Sequence, residues 1–276
     1  MHAANEDAGP AGNGRLRSAA PSGPGEFAAL PGAALVLGAS GSLGSAVAAM
    51  LLARGSKVAM TYRRPSPVVA ELAARHSGRA RAYQLDLTDA AACARVAATV
   101  TDDFDGVHTV VYAAGPHVPM THVSTIDAEA FRSQLEQDAI AFLTAMVPLL
   151  PMLRASQGSV IAVTTAATRR YAVRDGLSSI PKAAVEAAVR AIAAEEGRYG
   201  VRANCVGPGM LTDGMAARLI SSGDLDERAL DVARGNIPLR RFGTATDVAE
   251  AVCFLASGRA SFISGQKLDV DGGYGA

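Results

Sequence analysis

The chain has no tryptophan, only three cysteines in 276 residues, and no excess of either charge, with 26 Lys plus Arg against 26 Asp plus Glu. Without a net field there is no electrostatic footprint for nucleic acid or an anionic membrane surface, so neither is expected as a partner. A small molecule suits that balance better. Cys93, Cys205 and Cys253 stand apart in apolar surroundings, with no CxxC or Cys/His spacing. That argues against a disulfide framework and a thiolate metal site, and for buried thiols in a reducing cytoplasm. The N-terminal segment is rich in Ala, Gly and Pro and lacks an apolar h-region. A disordered tail over residues 1–28 is expected there, not a signal peptide. The longest apolar stretch, about 139–153, holds two prolines and is shorter than a bilayer span, so it reads as a core helix.

What the sequence has is rhythm. From Gly32 onward, apolar β-type runs alternate with Ala-rich helical segments. Residues 33–37, 57–61, 80–85, 107–112, 159–164, 201–206 and 266–270 read as strands. Residues 42–54, 67–76, 90–101, 127–154, 179–199 and 246–256 read as helices. Strands that are apolar almost throughout are buried on both faces. The pattern predicts one α/β domain over residues 29–276, a Rossmann-type doubly wound parallel sheet of about seven strands. Residues 210–238 break the rhythm with glycines, mixed charge and two weak helical pieces, 213–221 and 225–234. They read as a lid-like insertion over the site.

The first strand runs into Gly38-Ala39-Ser40-Gly41-Ser42-Leu43-Gly44, which opens a helix. Glycines there make the turn tight and let backbone N–H groups approach a pyrophosphate at the helix N-terminus. The second strand ends at Tyr62-Arg63-Arg64, where an acid would bind a ribose 2′-hydroxyl. Arginines suit a 2′-phosphate instead, so NADP(H) is the expected cofactor. Asp86, followed by Leu87, closes the third strand, with a carboxylate placed to accept from an adenine amino group. Small side chains at Ala113, Ala114 and Gly115 leave room for the cofactor after the fourth strand.

Together with Lys182-Ala183-Ala184-Val185-Glu186, Asn204-Cys205-Val206-Gly207-Pro208-Gly209 and Leu268-Asp269-Val270-Asp271-Gly272-Gly273, these pieces resemble the short-chain dehydrogenase/reductase superfamily. The similarity runs from about Pro31 to the C-terminus. The resemblance implies that Pro208, Gly209, Leu211 and Thr212 follow the sixth strand along the cofactor. It implies that Lys182 holds the nicotinamide ribose. It also implies a Ser, Tyr, Lys and Asn set in which tyrosine gives a proton to the carbonyl oxygen. Here the tyrosine position is Ser178, the serine position Thr165, and the asparagine position falls near Asp138. Ser42 takes the place of the middle glycine, with Gly41 beside it.

A serine hydroxyl is shorter and far less acidic than a phenol of pKa about 10. Ser178 alone is therefore a poor donor. Thr165 keeps an O–H that orients a carbonyl or caps a helix. Asp138 brings a carboxylate to a place built around an amide, either as an acid/base or as a helix-surface or supporting group. Tyr171, among Arg169, Arg170 and Arg174, and His117, after Gly115, are substitute donors or plain loop residues. The enoyl-reductase branch uses a longer Tyr-to-Lys spacing, but Asp175 stands at that position.

The resemblance to divergent polyketide ketoreductases points to NADPH-dependent reduction of a carbonyl or conjugated double bond in a secondary-metabolite substrate. Water, a loop residue or the substrate supplies the proton. A non-redox lyase and a nucleotide-binding partner protein without turnover are the alternatives, since fold does not fix function. Relatives form homo-oligomers, tetramers or dimers, through the helices matching 127–154 and 179–199.

Overall fold

Short runs of Ala, Val, Leu and Ile make the strands, because such side chains pack on both faces of a pleated surface. The computed structural model describes residues 25–116, 118–213 and 227–276. Its strands are β1 (Ala33–Leu37), β2 (Val58–Tyr62), β3 (Ala80–Gln84), β4 (Val107–Tyr112), β5 (Ser159–Val163), β6 (Arg202–Pro208) and β7 (Lys267–Val270). They form one seven-stranded sheet in the order β3-β2-β1-β4-β5-β6-β7. Every neighbouring pair is parallel.

The helices are α1 (Ser42–Ala53), α2 (Pro67–Arg75), α3 (Ala90–Phe104), α4 (Ala128–Leu135), α5 (Ala141–Met146), α6 (Leu150–Ser156), α7 (Gly176–Glu196), α8 (Glu227–Gly235) and α9 (Ala245–Ala256). Alternation along β1 sends Ala34 and Val36 to one core with α1, α2 and α9, and Ala33, Leu35 and Leu37 to the other. The second core holds α3, α5, α6 and α7, with Tyr112 and Phe142 edge-to-face at 5.1 Å. Chain direction across the sheet reverses between β1 and β4. Their following loops diverge and leave a crevice at the carboxyl ends of the strands.

Four expectations need correction. The tail does not extend to residue 28, because Phe27 is 1% exposed and Glu26 is buried. The Glu26 carboxylate accepts from Arg54 at 3.1 Å and Arg259 at 2.9 Å, tying this segment to α1 and to the turn after α9. The stretch expected to be too short for a bilayer lies in a helical run, Ala128–Ser156, whose 29 residues and apolar character satisfy the length of a membrane span. Here Phe142, Ala145, Met146, Leu149 and Leu153 of that run bury into the sheet-facing core instead.

The same run is not one regular helix. A π-helical turn at Glu136–Ile140 and a 3₁₀ turn at Val147–Leu149 interrupt it, the latter just before α6, which has Pro151 in its first turn. Finally, α7 begins at Gly176, not Ser179, because the Asp175 carbonyl accepts from both Ser178 N (3.0 Å) and Ser179 N (2.8 Å). The lid-like segment lies partly outside the described residues, including its expected piece 213–221 beyond Asp213. Its second piece is α8.

Candidate active site

The turn after β1 shows which glycines are obligatory. Gly38 has φ +85°, and a side chain on it would press on the Ala114 backbone at 2.7 Å. A side chain on Gly44 would overlap the Gly38 carbonyl. Ser42, at the first position of α1, is exposed, so a side chain is accommodated where the family pattern has glycine. Gly41 caps α1 without a side-chain bond, and no acid lies in the first turn. The first N–H groups of α1 therefore have no intrahelical partner and face the crevice that Gly41, Ser42 and Leu43 line. Gly38 N donates to Thr61 Oγ1 at 3.1 Å, fixing the turn to β2.

On one side of this turn a cavity of about 250 Å³ is lined by Ser40, Tyr62, Arg63, Asp86 and Leu87, among others. Asp86 Oδ1 accepts from Thr88 N at 3.0 Å and Thr88 Oγ1 at 2.8 Å. Those bonds, with Arg63 nearby, hold its carboxyl below the ordinary range. Arg63 and Arg64 are both exposed, and neither is spent on a salt bridge among the described residues. Only Arg63 lines the cavity; Arg64 lies outside its wall. Gln137, which the sequence did not single out, lines it too.

On the other side lies a cavity of about 360 Å³, which shares Gly41, Ala113, Ala114 and Gly115 with the first. Lys182 is at its centre. Its ammonium donates to Asp138 Oδ1 at 2.9 Å and to the Ala114 carbonyl at 3.3 Å, and sits 5.7 Å from the Tyr112 ring centroid. Asp138 is only 3% exposed, which removes the helix-surface alternative and leaves it as a group supporting Lys182. The π turn rotates it inward, and the buried Tyr112 hydroxyl donates to its carbonyl at 3.0 Å. Burial first, then the Asp138 charge, pushes the Tyr112 phenol well above its ordinary pKa.

Thr165, Ser178, Pro208, Gly209 and Leu211 line the same cavity. Thr165 Oγ1 accepts from Ala167 N at 3.1 Å and caps a 3₁₀ turn, Ala166–Thr168. Because a hydroxyl both accepts and donates, capping leaves its hydrogen available to the cleft. Thr212 does not line the cavity; its exposed hydroxyl bonds Asp213 Oδ1 at 2.6 Å. Tyr171 is 47% exposed and also lies outside the wall, so the loop tyrosine is not brought to the site. His117 lies outside the described residues. Asp175, named from sequence only as the residue at the enoyl-reductase tyrosine spacing, and Met210 and Asp213, given no site role, all line the cavity. For Asp175 a signal existed, since it stands three and seven residues before Ser178 and Lys182, on one face of a helix.

A family model described as enoyl-(acyl carrier protein) reductase matches residues 38–275. The chain belongs to the short-chain dehydrogenase/reductase superfamily. The match to that description comes despite the aspartate at the tyrosine spacing of the enoyl-reductase branch. A short-chain dehydrogenase/reductase structure from Mycobacterium ulcerans is 28% identical, with a TM-score of 0.82 and coverage of 89% of this chain and 90% of that one. Cis-4-hydroxycyclohexanecarboxylate dehydrogenase of Sinomonas cyclohexanicum is 31% identical, over 88% of this chain and 96% of the relative. L-fucose dehydrogenase of Oryctolagus cuniculus is 32% identical, over 62% of this chain and 60% of that protein's length. The family uses nicotinamide cofactors, NAD or NADP, these relatives are named as dehydrogenases, and this chain is an oxidoreductase of that general kind.

Proposed function

We propose that the protein is an NADPH-dependent reductase of a carbonyl or conjugated double bond in a small substrate of secondary-metabolite, polyketide-like character. The observation that carries this is a pair of cavities that share Gly41, Ala113, Ala114 and Gly115, with an uncapped helix N-terminus between them, Arg63 lining one and the half-buried Lys182 lining the other. The residues present fit a dinucleotide. The N–H groups at the start of α1 suit a pyrophosphate, and Gly38 and Gly44 let the turn close tightly against the Ala114 and Gly38 backbone. Arg63 and Arg64 suit a 2′-phosphate, which favours NADP(H) over NAD(H). Asp86 would accept from the adenine amino group.

When bound, the nicotinamide supplies a hydride. An ammonium has three donors, and Asp138 and Ala114 take two of those of Lys182. The third is left for the ribose hydroxyls. Thr165 orients the substrate oxygen with its remaining hydrogen. The 3₁₀ cap fixes that hydroxyl, which reduces the ordering cost of holding a substrate in attack geometry. The tyrosine position is held by Ser178, so the proton comes from another source than a phenol.

Homo-oligomerisation, as a dimer or tetramer, is part of the same proposal. Ile140, Leu143 and Val147 form an exposed apolar stripe at i, i+3 and i+7, and Ile180 of α7 is exposed as well. A cytoplasmic setting fits three free, buried cysteines.

The test is to incubate the protein with NADPH and a panel of ketones, β-dicarbonyls and enones while following the reduced-nicotinamide absorbance. Loss of absorbance with formation of the alcohol or saturated product is expected. Dehydrated product with NADPH unconsumed would replace reduction by lyase chemistry.

A further inference from the structure

Asp175 is the N-cap of α7, the position where an aspartate usually turns its carboxylate onto the first helical N–H groups. It does not do so here: no side-chain cap bond is made. Its backbone is held in place, with the neighbouring Arg174 carbonyl accepting from Thr121 N at 2.9 Å and a parallel bridge joining Thr121 to Asp175. Its carbonyl accepts from Ser178 N, Ser179 N and Ser179 Oγ. The main chain is therefore fixed while the carboxyl is left for the cavity it lines with Thr165, Ser178 and Lys182.

We propose that Asp175 and Ser178 form the proton relay of this active site. The proposal rests on the reductase function above and supplies the acid that function lacks. Ser178 gives its hydroxyl proton to the substrate oxygen as that oxygen takes the carbonyl π pair, and hydride from NADPH bonds to the carbon. In the same step the Asp175 carboxyl returns a proton to Ser178 Oγ. The balance leaves an alcohol, NADP⁺, an intact serine and an Asp175 carboxylate, which solvent reprotonates. A serine in this position need not be acidic itself, because it passes a proton on without accumulating charge.

The surroundings suit a carboxylic acid that keeps its proton into the mildly acidic range, where an exposed aspartate has already lost it. Burial pushes Asp175 up to about 6, while hydrogen bonding with Ser178 acts in the opposite direction. The charged groups around it are engaged elsewhere. Lys182 is paired with Asp138. Arg174 donates to the Met120 carbonyl and Arg170 to that of Tyr274. Arg169 lies 4.0 Å from Asp269. Across the cavity Asp213 accepts from Ala245 N, and His122 follows the Thr121 bridge. No salt bridge reaches Asp175 among the described residues. Of the three aspartates that line the cavity, Asp138 and Asp175 stand in contrasting settings, one on an ammonium and one half-buried with no cation paired to it among the described residues.

The experiment combines kinetics with a titration that needs no cofactor. Asp175→Asn and Ser178→Ala should each lower kcat by roughly 10²- to 10⁴-fold with nucleotide affinity unchanged. The double variant should fall no further than either single one. Ser178→Thr, which keeps the hydroxyl, should retain most of the turnover. Wild-type kcat should fall about tenfold per pH unit above about 6, as the acid loses its proton. In the unliganded protein, ¹³C-carboxyl NMR should show Asp175 titrating near 6, and Ser178→Ala should move that midpoint upward. Wild-type turnover in either single variant, or additive losses in the double, overturns the relay alone. A wild-type protein that consumes no NADPH with any carbonyl overturns the reductase function and the relay with it.

Discussion

The two halves of the crevice obey different rules. At the phosphate end, the backbone does the work: Gly38 and Gly44 are required by space, and a serine at position 42 is accommodated because that position is exposed. At the reacting end, side chains do the work, and those that line it are Thr165, Asp175, Ser178, Lys182 and Asp138. A cradle of N–H groups tolerates most substitutions that leave its φ/ψ and volume intact. A proton-transfer site tolerates few, because donor reach and acidity both change with the side chain.

The largest expected effect lies at the reacting end. Lys182→Met leaves the Asp138 carboxylate, 3% exposed, without its ammonium, and removing one partner of a buried pair costs about 3–5 kcal/mol. Urea unfolding should show that loss, and Lys182→Met with Asp138→Leu should recover much of it. If the single variant is as stable as wild type, Lys182 contributes to binding without supporting the fold. A smaller effect is expected at the phosphate end. Arg63→Ala with Arg64→Ala should weaken NADP(H) binding by about 1.5–3 kcal/mol and leave NAD(H) nearly unaffected, since charge-assisted bonds to a 2′-phosphate are lost. Equal losses for both nucleotides in calorimetry would remove the 2′-phosphate assignment. The smallest effect is expected from Tyr171→Phe. Its hydroxyl is on an exposed loop outside the cavity, so kcat and KM should stay at wild-type values. A marked fall in kcat would bring this loop back as a proton source.

Legibility in the sequence followed the range of the interactions involved. β1 and β4 begin and end where their apolar runs do, because a strand buried on both faces writes its full length in composition. The helix across residues 127–154 was visible, but its π turn was not, since one extra residue in a helical turn leaves no periodic mark. The sequence alone therefore leaves Asp138 open between a surface and a supporting position, and its burial decides for the latter. Phe27 was assigned to the tail because the residues around it are Gly, Pro and Ala, and its burial depends on Arg54 and Arg259 meeting Glu26 from distant parts of the chain.

The amino-acid order by itself determined the layered α/β architecture, the Gly-rich turn that opens α1, and the arginines after β2, all of which rest on local spacing and backbone sterics. Only the tertiary structure decided the state of the acids in the cleft. It set Asp138 against Lys182 and left the Asp175 carboxyl uncapped and desolvated beside Ser178. Partnering and burial are properties of the space around a group, and several separated segments of the chain must meet before that space exists.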